Sequence, residues 1–384
     1  MYKIKRAVTF PFLDFSTLEK RRQVCEREVE VNRLTAPELY LGSVAVTRAD
    51  DGTLSLGGDG DPVEWAVHMR RFDEAATLDR LAVGSGLDSA LIDRLAARVA
   101  DLHDKAPIAT VSDPAASVAW VARENCGGMG GCPALFPPGE VGELRALTDA
   151  ARDRLAPLIE ARAKGGFLRR CHGDLHLGNV ALIGGEPVIF DAIEFNEDLA
   201  TIDVLYDLAF LIMDLWQRGL RGAANRVLNR WLVHRQRPED LDGLALMPLF
   251  LSMRAAIRAK VAAPRAKHLE GAERDAAEAE ARAMFSAARA FLDPAPARLV
   301  AIGGLSGTGK TTVALGIASH IGPAPGAVVV RSDVIRNIMA VCDFLGIITK
   351  IIASTLSRAQ FGPVVLPVGY RRVLRDNTHS SHHA

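Results

Sequence analysis

The run Cys171-His172-Gly173-Asp174-Leu175-His176-Leu177-Gly178-Asn179 constrains this 384-residue chain more than any other segment. Val188-Ile189-Phe190-Asp191 follows, with Asp191 twelve residues beyond Asn179. Two short loops, each adjoining an apolar strand-like run, thus hold three oxygen-bearing side chains, Asp174, Asn179 and Asp191. An Asp or Asn in a Gly-containing loop is by itself an ordinary turn former. The joint pattern H-G-D-x-x-x-x-N followed by F-D is rarely met by chance.

These residue types suit phosphoryl transfer, in which a protein mainly positions groups and neutralises charge. Asp174 is the candidate to orient and deprotonate a hydroxyl. Asn179 and Asp191 are candidate ligands for Mg2+, a hard cation that takes oxygen donors. His172 reads as a brace for the loop. Asp203 and Asp207 lie four apart on a predicted helix and share a face, which reads as structural.

A second motif, Gly304-Leu305-Ser306-Gly307-Thr308-Gly309-Lys310-Thr311, fits G-x-x-x-x-G-K-[ST]. A predicted strand, Arg298 to Gly303, precedes it and a predicted helix, Thr311 to His320, follows. Backbone N–H groups around Gly304, Gly307 and Gly309 can cradle phosphates, Lys310 can reach the terminal ones, and Thr311, with Thr312 beside it, can reach the metal. Val328 to Val330 reads as the next strand, ending at Arg331-Ser332-Asp333. Asp333 is a candidate on the acceptor side, with an ordinary turn as the alternative.

Beyond Arg336 the expected continuation does not appear. Parallel strands need long crossovers, and only ninety residues run from Ala295 to the end. The apolar run Pro363 to Val368 has no Asp at its end, and so small a domain buries little of its surface. The expectation is a chain cut or frameshifted after about residue 336.

Composition narrows the partners. Lys plus Arg and Asp plus Glu are 46 each, so no basic excess points to nucleic acid or an anionic membrane. A small-molecule partner is the default. Five scattered cysteines lack metal spacing and fit a reducing cytoplasm. No secretory h-region follows Lys3, Lys5 and Arg6. The apolar stretch Ile338 to Leu356 carries Asp343 and Lys350, which argues against a membrane span.

Periodicity predicts strand, helix, strand, strand at the start: residues 2 to 13, Leu18 to Leu34 capped by Ser16 or Thr17, Val44 to Thr47, and Glu64 to Arg70 beyond a turn at 57 to 61. Helices are expected at Ala90 to His103, Val141 to Lys164 with Pro157 inside, Asp203 to Trp216, Ala223 to His234, Leu244 to Ala262 and about 266 to 292. Gly127 to Pro138 reads as a loop, and Pro294-Ala295-Pro296 as a boundary.

The catalytic-loop segment resembles the aminoglycoside phosphotransferase and choline-kinase-like branch of the protein kinase-like fold. The continuation Ile193 to Phe210, with Tyr2-Lys3-Ile4-Lys5-Arg6 and Asn32-Arg33, resembles the bacterial family of bifunctional aminoglycoside phosphotransferase/ATP-binding proteins, over residues 1 to about 336. The resemblance implies an α+β protein kinase-like fold, with a small N-lobe and a mostly helical C-lobe, followed by a partial α/β P-loop domain. The corresponding segments are 1–77, 78–293 and 297–336, with a divergent tail at 337–384.

It also implies ATP and Mg2+ as cofactors, Asp174 as base, and Asn179 and Asp191 as metal ligands. The phosphate lysine would be Lys5, preferred over Lys3 on the same strand face. Its helix partner would be Glu28 rather than Glu26, and adenine would rest near Met69 to Phe72. The family pattern has a Gly-rich strand pair before the lysine strand, so its absence implies an upstream start or weak nucleotide binding.

The acceptor would be a hydroxyl on an aminoglycoside-like or amino-alcohol molecule. Asp198, Asp214 and Glu239 could make an acidic pocket, and Arg254, Arg258 and Lys260 a basic one; both sets read as solvated faces. A nucleotide-binding scaffold, or a P-loop ATPase with the first half as adaptor, are the rival readings. Oligomeric state is left open.

Overall fold

The computed structural model describes residues 1–10, 13–84, 86–296, 298–305 and 307–330. Asp333, the run Ile338 to Leu356 and the tail lie outside the described residues. By contacts the chain forms two units. One joins Met1–Pro294 with Gly304–Val329; of the other, residues 295, 296, 298–303 and 330 are described.

A small sheet lobe opens the chain. Strand β1 (Tyr2–Ile4) is followed by a short antiparallel pair, β2 (Thr9–Phe10) and β3 (Leu13–Asp14). Helix α1 (Leu18–Asn32) starts at Thr17, whose side chain accepts from the Lys20 N–H, with Glu19 in the favourable first turn. Then come β4 (Tyr40–Arg48), β5 (Leu54–Leu56) and β6 (Asp61–Met69). The antiparallel sheet runs β1-β6-β4-β5, so the lysine-bearing strand lies at one edge. Cys25 and Val29 of α1 pack on Leu39, Tyr40, Val67 and Met69, giving this lobe its own apolar core.

The larger lobe is helical. It runs α2 (Leu78–Val83), α3 (Ser89–Lys105), α4 (Pro114–Gly130) and α5 (Pro138–Lys164), the last continuous through Pro157. Strand β7 (Leu168–Arg170) and the hairpin β8 (Val180–Ile183) and β9 (Glu186–Ile189) follow, then α6 (Glu197–Ala200) and β10 (Thr201–Asp203). The helices α7 (Val204–Gln217), α8 (Arg221–Arg235), α9 (Pro238–Gly243), α10 (Met247–Ala266) and α11 (Gly271–Leu292) complete it. Every residue of α7 from Val204 to Leu215 is buried, so this helix is the axis of the core.

The expected loop at Gly127 to Pro138 is wrong in its first part, because α4 continues through Gly130. Glycine weakens a helix by about 1 kcal/mol relative to alanine, but here it is used for space. A Cβ on Gly128 would lie 2.5 Å from Lys260 Cδ. The expected strands at Arg298 to Gly303 and Val328 to Val330 are also absent. A parallel strand exists only beside a neighbour, and among the described residues none pairs with either segment. The expected helix beyond the Gly-rich loop is present as α12 (Lys310–Ala318). Asn225 and Asn229 of α8 tether residues 325 to 329, the Asn229 carboxamide oxygen accepting from the Val329 N–H at 2.6 Å.

Candidate active site

The loop between β7 and β8 is held by acids of α7. Asp207 accepts from the N–H groups of His172, at 3.2 Å, and Gly173, at 2.9 Å. Its other partner is His103 Nε2 at 3.2 Å, and His103 Nδ1 in turn accepts from Trp231 Nε1 at 3.0 Å. Burial works to raise the Asp207 carboxyl, yet the hydrogen bond and charge of His103 hold it below the ordinary range. Asp214, seven residues on, accepts from the Leu177 N–H at 3.0 Å. The two acids therefore grip both ends of the loop from one helix face. Asp203 caps α7 and receives a two-bond clamp from Arg162. The structural reading of Asp203 and Asp207 fits these contacts. Asp214 is not on a solvated face but buried, and Glu239 is exposed.

With both His103 nitrogens engaged in this way, the neighbouring His103, Cys171 and Asp207 form a braced core cluster rather than a metal cage. Cys25, Cys126, Cys132 and Cys171 are buried free thiols.

Gly173 takes φ 84°, where a side chain would be strained and would meet Ile193. This turn brings Asp174 out of the loop. Its carboxylate is 40% exposed and touches Asn179 Nδ2 at 3.1 Å and His176 Nε2 at 3.4 Å. Burial would raise Asp174, but the hydrogen bond and charge of His176, with the charge of Arg254, hold it at about 2. Asn179 also donates to the Asp174 carbonyl at 2.9 Å. Its side-chain oxygen is the donor left for a cation.

His172 braces the loop as its sequence context suggests. Nε2 meets the Phe190 carbonyl at 2.9 Å, and Nδ1 accepts from the Asp174 N–H at 3.3 Å. Burial pushes this imidazole down, so it is neutral when folded. An unfolded histidine titrates near 6.5, so the unfolded chain takes up a proton that the folded one refuses. The associated stability is full above about pH 6.5 and is lost as pH falls towards the folded value, by at most about 1.4 kcal/mol per pH unit. In urea unfolding, His172→Asn should flatten that slope between pH 6.5 and 5. An unchanged slope would show that His172 is not the buried neutral group responsible.

Asp191 follows β9 with φ 63°, a left-handed conformation uncommon outside glycine and often found at functional sites. Three neighbours hold this turn: the Asp191 N–H donates to the Tyr40 hydroxyl, Ala192 N–H to Asn32 Oδ1, and Ile193 N–H to the His172 carbonyl. The β8–β9 pairing carries Asn179 beside Phe190, so the two candidate metal ligands sit at one end of a hairpin.

Lys3 and Lys5 both reach α1. Lys3 Nζ contacts Glu28 at 2.9 Å and Asp191 at 2.6 Å. Lys5 pairs with the other Glu28 oxygen and, at 2.6 Å, with Glu194. Burial opposes both charges, but the carboxylates of Asp191 and Glu28 for Lys3, and of Glu194 and Glu28 for Lys5, raise them above the usual lysine range. Glu26 instead pairs with Arg22 on the surface.

A cavity of about 390 Å3 is lined by Lys3, Lys5, Asp174, Asp191 and Glu194, among others. Met69 lies outside it, and its backbone N–H and carbonyl pair with Met1. Sequence reasoning missed Glu194, Tyr40 and Asn32 as contributors. Asn32 carried a signal, since it follows Glu28 by one helical turn. Gly304, Gly307 and Gly309 precede α12, where Lys310 donates to the Leu305 carbonyl and Thr311 and Thr312 occupy the first turn.

Arg254 corrects the reading of a solvated basic face. It is buried, donating to the Gly173 carbonyl at 2.9 Å and the Tyr206 carbonyl at 3.0 Å, with its guanidinium 3.8 Å from the Tyr206 ring centre. Arg258 pairs with Glu280 on α11, and Lys260 lines the cavity.

A base candidate on a braced loop, two oxygen ligands on a hairpin and a helix-paired lysine are the parts of a phosphotransferase site. The chain belongs to the Phosphotransferase enzyme family, which matches residues 13–245. It is 31% identical over 353 residues to an uncharacterized protein of Mycobacterium tuberculosis and, equally, to one of Mycobacterium bovis. That match covers 91% of this chain and 66% of each relative, so the chain spans about two thirds of their length. Among solved structures it is similar to a choline kinase from Cryptosporidium parvum, at 12% identity over 76% of this chain and 82% of that one, with a TM-score of 0.44. A Plasmodium vivax ethanolamine kinase is similar at 11% identity over 71% and 74%, with a TM-score of 0.39. Among the described residues no helix is long and apolar enough to cross a membrane.

Proposed function

We propose that this chain transfers the terminal phosphoryl group of ATP to a hydroxyl of a small molecule, with Asp174 as the base. The observation that carries the reading is that Asp174, Asp191 and Lys3 face one cavity. The acceptor hydroxyl donates to the ionised Asp174 carboxylate. As its oxygen bonds to phosphorus, its proton passes to Asp174 and ADP departs. Held low by His176 and Arg254, the Asp174 carboxylate is ionised and free to orient the hydroxyl by accepting its hydrogen bond.

The side-chain oxygens of Asn179 and Asp191 fit Mg2+, being hard donors at one end of a hairpin. When bound, the ion would neutralise phosphate charge. Lys3, between Glu28 and Asp191, is the better supported phosphate lysine, while Lys5 holds Glu194 and Glu28. No nucleic-acid or membrane partner belongs to this reading.

In calorimetric titration with ATP and Mg2+, Asp191→Ala should lose roughly tenfold or more in affinity, and Asp174→Ala should retain it. Equal losses would sink the separation of roles. A second phosphate site at Gly304 to Thr312 is supported by the glycine conformations at Gly307 and Gly309, φ 78° and 79°, before α12. In this reading it is an accessory site, with Asp333 as its acceptor-side candidate.

A further inference from the structure

The cavity also has an apolar lining from α4, Trp120 and Val121, and from α10, Ile257 and Val261. Besides Lys3, Lys5, Asp174, Asp191 and Glu194, four charged side chains line it: Glu124, Asp198, Arg254 and Lys260. Asp198 is exposed, and Arg254 is engaged with the carbonyls of Gly173 and Tyr206. Lys260 is half-buried and has no hydrogen bond or ion pair among the described residues. Burial pushes its ammonium down, and the charge of Glu124 only opposes this.

Its place is built. The Lys260 stem lies across α4 where Gly128 has no side chain; a Cβ there would be 2.5 Å from Cδ and 2.7 Å from Cγ. Two further cavity-lining residues, Asn125 and Tyr206, are buried with Asn125 Oδ1 and the Tyr206 hydroxyl lacking hydrogen-bond partners. Arg254 contacts the residue before Asp174, and Lys260 lies six residues further along α10, roughly 9 Å of helix rise.

We infer that Lys260 is a specificity-determining residue of the acceptor site, reading an oxyanion, carboxylate or phosphate ester, at the far end of the molecule whose hydroxyl meets Asp174. The inference rests on the phosphotransferase reading. It favours a hydroxy acid or a phosphorylated alcohol over a polyamine, because the Lys260 ammonium, which has no hydrogen bond or ion pair among the described residues, would pair with an oxyanion and repel a cation. A buried ammonium gains most from a charge-assisted hydrogen bond.

The test uses the full chain, ATP and four acceptors: gluconate, glycerol 3-phosphate, choline and kanamycin. One of the two oxyanions should be the preferred acceptor, and the two together distinguish carboxylate from phosphate. Lys260→Met should raise its KM roughly tenfold or more with little change in kcat. Lys260→Arg should recover part of the loss, and Gly128→Ala, which displaces the stem without removing charge, should raise KM as well. The KM for ATP should stay constant throughout. Preference for choline or kanamycin, or an oxyanion KM indifferent to Lys260→Met, overturns the inference.

Should the wild type phosphorylate none of the four, a binding measurement that needs no turnover replaces the kinetics. The recognition claim is then read from tryptophan fluorescence, to which the cavity-lining Trp120 contributes, with a non-hydrolysable ATP analogue. A change on adding gluconate or glycerol 3-phosphate that Lys260→Met removes supports it, and no change in the wild type overturns it.

Discussion

Asp174→Ala is expected to lower kcat for phosphate transfer by about 10²–10⁴-fold, the usual contribution of a positioned acid or base. The fold should survive, because the carboxylate is 40% exposed and Asn179, one of its two partners, keeps its bond to the backbone carbonyl of residue 174. ATP affinity should also largely survive, since Lys3 and Asp191 keep their contacts and Asn179 keeps its bond to the carbonyl of residue 174. Asp174→Asn keeps the contact with Asn179 but cannot accept the hydroxyl proton, so it should fall within the same range. Steady-state kinetics at saturating ATP check both variants; a loss under tenfold would remove Asp174 from the chemistry.

Asp207→Ala should act through stability instead. Three donors converge on this buried carboxylate, from His172, Gly173 and His103, and Arg254 Nη2 lies 3.9 Å away. Removing one partner of a buried charged network costs about 3–5 kcal/mol, because the others stay buried without it. For a chain of this size that is a fall in Tm of roughly 4–6 °C. The catalytic loop would lose its anchor as well, so kcat should drop even below the melting range. A calorimetric melt within a degree or two of wild type would contradict the proposed grip.

The local parts of the site were legible in the sequence, and the reason is geometric. A loop such as His172 to Asn179 encodes its own turns, and Glu28 lies on the helix face that meets Lys3 and Lys5 whereas Glu26 does not. The expected helix face shared by Asp203 and Asp207 does not form, because Asp203 ends β10 and caps α7 from outside the helix; nor was it readable what either acid holds. Their partners, Arg162, His103 and the loop N–H groups, are brought up by packing between distant segments. Arg254 and Lys260 misled for the same reason: a basic turn looks solvated until its neighbours are known. Gly127 to Gly130 resembled a loop because the space that Gly128 leaves for Lys260 cannot be seen from one helix. Arg298 to Gly303 has a strand's composition, yet a parallel strand depends on neighbours that a local pattern does not contain.

The central claim is that phosphate leaves ATP at Asp174 and not at the Gly-rich loop. Phosphorus NMR of the wild type, Asp174→Ala and Lys310→Ala, each with ATP, Mg2+ and the same hydroxyl acceptors, tests it most directly. The account predicts a new phosphate-ester resonance for the wild type and for Lys310→Ala, and none for Asp174→Ala over the same time. An ester formed by Asp174→Ala at the wild-type rate, or lost in Lys310→Ala alone, would contradict it and move the chemistry to the second motif.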